Sequence, residues 1–393
     1  MIRQLVTRDS VAVTGSIIGL ASLPLGWLTL KSSRLAAGTS LSLWQVVGWD
    51  GTMVMLGLWL IALTLSLTKK TKWQAISLGI SANVILIITL ALAGFESSRM
   101  LEAEETFARV SPSAGIWVTL IASYILVFAA RQGLQEAPAW RHLVSWTGLA
   151  AIGIMLAIGW LDSLSLVQEF SGREARFQQE LVRHISLFAG SVTVGTLIGV
   201  PLGIWAVRSR RAEKPIFYLA NITQTIPSLA LFGLVIAPLS ALSFAFPFLR
   251  EIGIRGVGPA PAFIALVIYS LLPIVRNTFV GLRQLDPAVI DAGLGMGMSR
   301  AQVFRRIEAP LAAPLVLEGV RTASVQSVGL TTVAALIGAG GLGWFVFQGL
   351  GQAATDLILL GAIPIIGLAL VVDTVMRTLV RLSTPKGLGG GEP

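Results

Sequence analysis

Few side chains in this 393-residue chain are equipped for covalent chemistry. Cysteine is absent, which excludes disulfides, thiol nucleophiles and cysteine-based zinc sites. Imidazole is limited to His142 and His184. The densest acidic run, Glu102, Glu104 and Glu105, has no metal-ligand partners beside it and reads as a solvated face rather than a catalytic cluster. Gly338-Ala339-Gly340-Gly341-Leu342-Gly343 matches the dinucleotide-binding fingerprint letter for letter. That fingerprint has meaning only between a strand and a helix, and here it follows a long apolar run, so the glycines are read as a sharp turn. No Gly-Lys-Ser/Thr occurs anywhere, so the chain holds no phosphate-binding P-loop. Glu318 and Arg321 stand three apart in an apolar stretch and are expected to form a structural pair rather than a proton relay. Asp373 has a comparable partner in Arg377. The expectation is a protein that is not an enzyme and binds no metal.

The elements that must position these groups are membrane helices. The chain is 54% hydrophobic and 12% charged, with a mean hydropathy of +0.79. A soluble domain could not hide that much apolar surface, since globular chains are about a quarter charged. Runs of about 20 apolar residues, each long enough to cross the hydrocarbon layer as a helix, recur along the length. They predict an all-α integral membrane protein with about ten spans, near 11–30, 51–68, 73–94, 114–130, 143–161, 185–207, 216–241, 261–281, 314–338 and 355–380. The first run lacks a small-residue cleavage site behind it and reads as a retained anchor.

Charge alternates between the spans. One set of segments carries Arg3 and Arg8; Lys69, Lys70 and Lys72; Arg131 and Arg141; Arg208, Arg210, Arg211 and Lys214; Arg283, Arg300, Arg305 and Arg306; and Arg377, Arg381 and Lys386. The opposite set holds fewer cations, among them Arg34, Arg109, Arg176 and Arg183, and most of the acids. The positive-inside rule places the first set, and with it both termini, in the cytoplasm. The net charge of +9 is thereby assigned to topology rather than to nucleic acid. Trp27, Trp73, Trp117, Trp146, Trp160 and Trp205 lie near span ends and read as an interfacial belt.

A polar segment from Asp162 to His184 divides the spans five and five, which gives the halves opposite orientation. Both opening spans carry Pro-Leu-Gly, at Pro24-Leu25-Gly26 and Pro201-Leu202-Gly203. A five-plus-five inverted repeat is typical of ion-coupled secondary transporters, and that is the alternative reading.

The segment 286–310 carries the most information. Asp286-Pro287 is a helix start, and Gly293, Gly295 and Gly297 end that helix. Ser299 and Gln302 form a capping box for a second helix, expected to stop ahead of Pro310. Met296 and Met298 flank the turn, where flexible thioethers suit a groove on a partner protein. An ordinary basic loop is the competing reading of this composition.

The spacing of Asp291, Ala292, Gly293, Gly297, Ile307 and Pro310 resembles the "EAA" signature of permeases in ATP-binding-cassette (ABC) importers. Asp291, Gly293 and Ala309 replace the family's Glu, Ala and Leu. The resemblance covers roughly residues 182–382. It implies that Asp291, Ala292, Gly293, Gly297, Ser299, Arg300, Phe304, Ile307 and Pro310 belong to a coupling loop that docks on a separate ATPase. That partner would bind ATP-Mg, and this chain would bind no cofactor. Three stretches, Gln224–Leu231, Tyr269–Thr278 and Arg321–Gly343, are similar to permeases of osmoprotectant importers for glycine betaine, choline and related quaternary amines. The resemblance implies a type I importer core over 185–382, a periplasmic binding protein, and a second copy or a shorter paralogous permease, all at the bacterial inner membrane. Residues 1–165 form a five-helix membrane region of open role, 166–184 a polar periplasmic connector, and 383–393 a flexible cytoplasmic tail.

Prolines within spans, at Pro201, Pro227, Pro273 and Pro364, each remove a backbone hydrogen bond. Broken backbone at membrane depth is tolerated where it is packed or lines a wet cavity. Asn221, Thr223, Gln224, Thr225, Pro227 and Ser228, with Thr331 and Thr332, are therefore the candidate path, hydrogen bonding between helices being the competing role. Arg276 and Asn277 are the candidate inner gate.

Overall fold

A computed structural model describes residues 9–34, 36–102 and 107–385. Arg3, Arg8, Glu104, Glu105, Lys386 and most of the 383–393 tail lie outside the described residues. The chain divides into two compact units, Met1–Gly172 and Arg173–Pro393, parted within the predicted connector.

In the first unit, α1 (Ser10–Ser22) starts where the Asp9 carboxylate accepts from the Ala12 N–H at 3.2 Å. It does not continue to residue 30. After Pro24 and Gly26, which disfavour helix, the chain runs as β1 (Gly26–Lys31), pairing antiparallel with β2 (Thr39–Ser42) on one side and β3 (Arg109–Pro112) on the other. The residues Trp27-Leu28-Thr29-Leu30 suit a strand better than a helix end, and Trp27 and Leu28 are fully buried. Trp27 therefore does not belong to the interfacial belt. The helices α2 (Leu43–Leu67), α3 (Lys72–Glu102), α4 (Ala114–Gln132), α5 (Pro138–Ala157) and α6 (Ser165–Ser171) complete the unit. Buried hydroxyls join them: Ser16 to Ser66 at 3.0 Å and Ser22 to Thr119 at 2.7 Å. Such pairs supply specificity between helices that apolar packing in lipid does not.

The second unit runs α7 (Glu174–Arg208), α8 (Arg210–Thr225), α9 (Ser228–Ala245), α10 (Phe248–Glu251) and α11 (Pro259–Arg283). It continues with α12 (Pro287–Gly295), α13 (Arg300–Val303), a π-helical segment (Phe304–Glu308), α14 (Ala309–Ala334), α15 (Gly343–Gly351) and α16 (Thr355–Ser383). The predicted connector is helical, made of α6 and the opening turns of α7. Gly195, Gly199 and Gly203 form a stripe on α7 against α11: a Cβ at these positions would meet Ser270, Ile274 and Thr278 at under 3.0 Å. Small residues four apart let the two backbones approach closely, and that contact is the spine of the unit.

Among the described residues, eight helices are long and apolar enough to cross a membrane. Two predicted spans fall short of that standard: α1 on length, and α5 because its opening turns carry Arg141 and His142. The span predicted at 216–241 is interrupted between α8 and α9. Pro24-Leu25-Gly26 ends a helix, whereas Pro201-Leu202-Gly203 lies inside α7, so the shared tripeptide marks no common structure and the inverted-repeat argument loses its one motif.

Candidate functional site

The loop from Asp286 to Pro310 is built by caps. The Asp286 carboxylate accepts from the Ala288 N–H at 2.9 Å and starts α12. At the other end Met298 N–H donates to Gly293 O and Gly297 N–H to Leu294 O, the paired bonds of a Schellman stop. Gly297 takes φ of +85° with open space around it, so the position requires glycine for its backbone and not for room. Gly293 is the opposite case. A Cβ there would lie 2.7 Å from Ile307 Cδ1 and 3.4 Å from Val303 Cγ2. The glycine in place of the signature's alanine lets the two arms of the loop pack directly.

The second arm starts at the capping box, with Ser299 N–H donating to Gln302 Oε1 at 2.7 Å and Gln302 N–H to Ser299 Oγ at 3.3 Å. It does not stop ahead of Pro310. The π-helical segment carries it into α14, with Ala309 N–H bonding to Phe304 O. A proline ring collides with the carbonyl four residues earlier in an α-helix; the wider turn moves the Arg306 carbonyl aside and the helix continues. Asp291, Ala292 and Arg300 are exposed, Phe304 and Ile307 half-buried. Val289, Leu294 and Met296 are exposed apolar side chains on the first arm and turn, Met296 at 71%.

One contact here was not foreseen from the residue pattern. Arg208, the last residue of α7, donates from Nη2 to Oε2 of Glu308, whose side chain is buried. The two residues are 100 positions apart, and no short-range pattern links them.

The break between α8 and α9 is set by Ile226-Pro227, both in extended conformation. It is latched to α11. Pro273 has no N–H for the Tyr269 carbonyl, and Gln224 Nε2 donates to that carbonyl at 2.8 Å. Tyr269 Oη in return donates to Ile226 O at 2.6 Å, at the break itself. Gln224 is thus engaged between helices, and Tyr269 is a member of this site that its place in an apolar run concealed. Thr223 and Thr225 donate to carbonyls of their own helix, Ala220 and Ile222. Asn221, Thr225 and Pro227 are exposed and Ser228 is half-buried. Thr331 is fully buried and donates to Ser327 O at 2.7 Å, so it lines no open surface, while Thr332 is half-buried. Arg276 is exposed; Asn277 donates to Pro273 O at 2.8 Å and packs against Gly319 of α14.

Glu318 and Arg321 meet at 2.5 Å, and Arg321 also reaches Asp373 of α16 at 2.6 Å. Asp373 holds Arg377 at 2.8 Å. The cluster joins two helices where only pairs within one were expected.

The Gly338–Gly343 turn has three glycines with positive φ, at Gly338, Gly340 and Gly341. Two fully buried side chains of α7 grip it. Glu180 accepts from Gly341 N–H at 2.6 Å and pairs with Arg176 Nε at 2.7 Å. His184 Nδ1 accepts from Leu342 N–H at 3.2 Å, and Nε2 lies 3.1 Å from Val328 O. The proton therefore sits on Nε2, since a carbonyl can only accept. The i, i+4 spacing of Glu180 and His184 was the available signal. Among the described residues no cluster of His, Asp or Glu could hold a metal.

The described residues thus build a polytopic helical core that carries a capped two-armed loop. Residues 195–386 match the family described as binding-protein-dependent transport system inner membrane component. Residues 7–167 match the N-terminal domain of ABC transporter permease YehY. The choline transport system permease protein OpuBB of Bacillus subtilis is 39% identical over 205 residues, 52% of this chain and 87% of that protein. The osmoprotectant import permease protein OsmW of Salmonella typhimurium is 42% identical over 206 residues, 52% of this chain and 91% of that one. A solved structure of an inward-facing MetNI methionine ABC transporter aligns at 20% identity and a TM-score of 0.46, covering 53% of this chain and 96% of its own. The chain belongs to the ABC-importer permeases, in the osmoprotectant group that these sequence relatives represent. It is a multi-pass inner-membrane transport subunit and not an enzyme; ATP hydrolysis belongs to the ABC ATPase.

Proposed function

We propose that this permease moves glycine betaine or a related quaternary amine inward, receiving it from a periplasmic binding protein and driven by a separate ATPase. The relatives' transport of choline, carnitine and glycine betaine supports the substrate class. One observation carries the coupling: the loop's two arms, closed on each other at Gly293 and turned at Gly297, present exposed Val289, Leu294 and Met296 in one segment. Exposed apolar groups on such a hinge suit a cleft on a partner protein. The excess of cations around this loop favours a cytoplasmic location for it and for both termini. Residues 185–382 are the transport core, paired with a second copy or a shorter paralogous permease.

The polar rim around the α8–α9 break, with Asn221, Thr225 and Ser228, is the proposed path, and Arg276 with Asn277 its inner constriction. A quaternary ammonium has no N–H donor, and tight capture needs aromatic faces. The core has few tyrosines, so high-affinity selection falls to the binding protein and the permease offers a weak polar passage. The test is uptake of radiolabelled glycine betaine by proteoliposomes holding the permeases, the ATPase and the binding protein. Accumulation is expected with ATP and is abolished when the ATPase is omitted. Uptake that follows an ion gradient without the ATPase contradicts the proposal.

A further inference from the structure

We infer that the Arg208–Glu308 ion pair is a positioning strut that makes α7 move with the coupling loop. The inference rests on the coupling reading above and adds a second route out of that loop. One route is the chain itself, since the second arm passes through Phe304–Glu308 into α14 without a break. The other must be non-covalent, and the geometry places it at the foot of α7. Arg208 closes α7 and reaches Glu308, the last residue of the π-helical segment. Its guanidinium carbon lies 5.9 Å from the centre of the Phe304 ring, so the same cation is held by a second residue of that segment.

The surroundings show why the ion pair carries the link. A cavity of about 460 Å³ opens beside it, lined by Ile204, Ile290, Leu294 and Phe304 among others. A second, of about 300 Å³, lies against Ile204 and Phe304 as well, between α7, α11 and α14. Phe304 thus borders both cavities, and apolar atoms that line a void lose packing contacts there. The Glu308 side chain, in contrast, is 7% exposed while Arg208 is half exposed, and a buried carboxylate parted from its cation is destabilised. The pair therefore resists separation, and the cavity beside it leaves α12 room to shift. The π-helical turn is itself a feature that recurs at functional sites. Arg283 and Glu213, 3.1 Å apart, link α11 to α8, but here the carboxylate too is accessible to solvent and the pair contributes less.

The experiment uses the complete reconstituted importer and reads ATP hydrolysis and glycine betaine uptake in the same vesicles. Arg208→Gln and Glu308→Gln are each expected to keep hydrolysis within twofold of the parent while uptake falls at least tenfold. The exchanged pair Arg208→Glu with Glu308→Arg is expected to restore uptake to within threefold, which also shows that the fold accepts the site. Parallel loss of both activities in the single variants, normal uptake in them, or no recovery in an assembled exchanged pair overturns the strut. Retention of the ATPase is followed separately in Gly297→Trp. A Gly297→Trp complex that keeps its ATPase and transports normally refutes the coupling reading instead.

Discussion

At Gly297 and Gly293 the same residue type answers two different demands. Gly297 sits at φ +85° with nothing within 4 Å of where a Cβ would stand, so a side chain there meets backbone strain alone. Gly297→Val is expected to cost about 1–2 kcal/mol, the usual cost of a left-handed non-glycine residue, and to open the turn. Betaine uptake should fall while the protein still reaches the membrane, which immunoblotting of membrane fractions would check. Gly293→Leu instead drives a side chain into Ile307 and Val303. The expected result is separation of the two arms and loss of the co-purifying ATPase, with Gly293→Ala milder because Ile307 Cδ1 is the flexible end of its side chain. Equal effects of the alanine and leucine variants would contradict the packing explanation. Asp286, Ser299 and Gln302 were legible as caps because capping depends on residues within three positions. Arg208 and Glu308 were not, because their contact depends on the three-dimensional path of the chain.

Among the elements, the break between α8 and α9 depends on reciprocal satisfaction of backbone groups. Gln224 answers the carbonyl that Pro273 leaves free, and Tyr269 answers the carbonyl at the break. Tyr269→Phe removes one donor from a buried site and is expected to destabilise the core by roughly 1–3 kcal/mol. A lowered midpoint of thermal aggregation in detergent would show it. Gln224→Leu should act in the same direction, and the double variant should lose less than the sum, since both bonds hold one joint. Full additivity would mean that the two bonds act independently. Apolar length predicted most of the helices, and proline marked the break at 226–227. The switch from helix to strand at 22–26 was hidden because apolar runs read alike in both states, and one of the two strands that pair with β1 comes from Arg109–Pro112, far along the chain. The arm expected to end ahead of Pro310 continues because a wider turn accommodates the ring, a tertiary choice that proline alone does not reveal.

For the whole molecule, the proposed orientation rests on charge placement. The positive-inside rule puts the arginine-rich loop on the side proposed for the ATPase. The Glu180–His184 grip lies at the far end of α7 from Arg208, so α7 is held at the Gly338–Gly343 turn near one end and at the coupling loop at the other. Glu180→Ala leaves the Gly341 N–H without its buried partner, and uptake is expected to fall severalfold with the ATPase still bound. Unchanged uptake would show the grip to be dispensable. Met296 is predicted to lie on the cytoplasmic face under the ATPase, and the lack of cysteine in this sequence makes that directly measurable. In a Met296→Cys chain, a membrane-impermeant maleimide is predicted to label nothing in intact cells, to label the residue after permeabilisation, and to be blocked by bound ATPase. Labelling of intact cells, or labelling of permeabilised membranes that the ATPase does not reduce, would contradict the account.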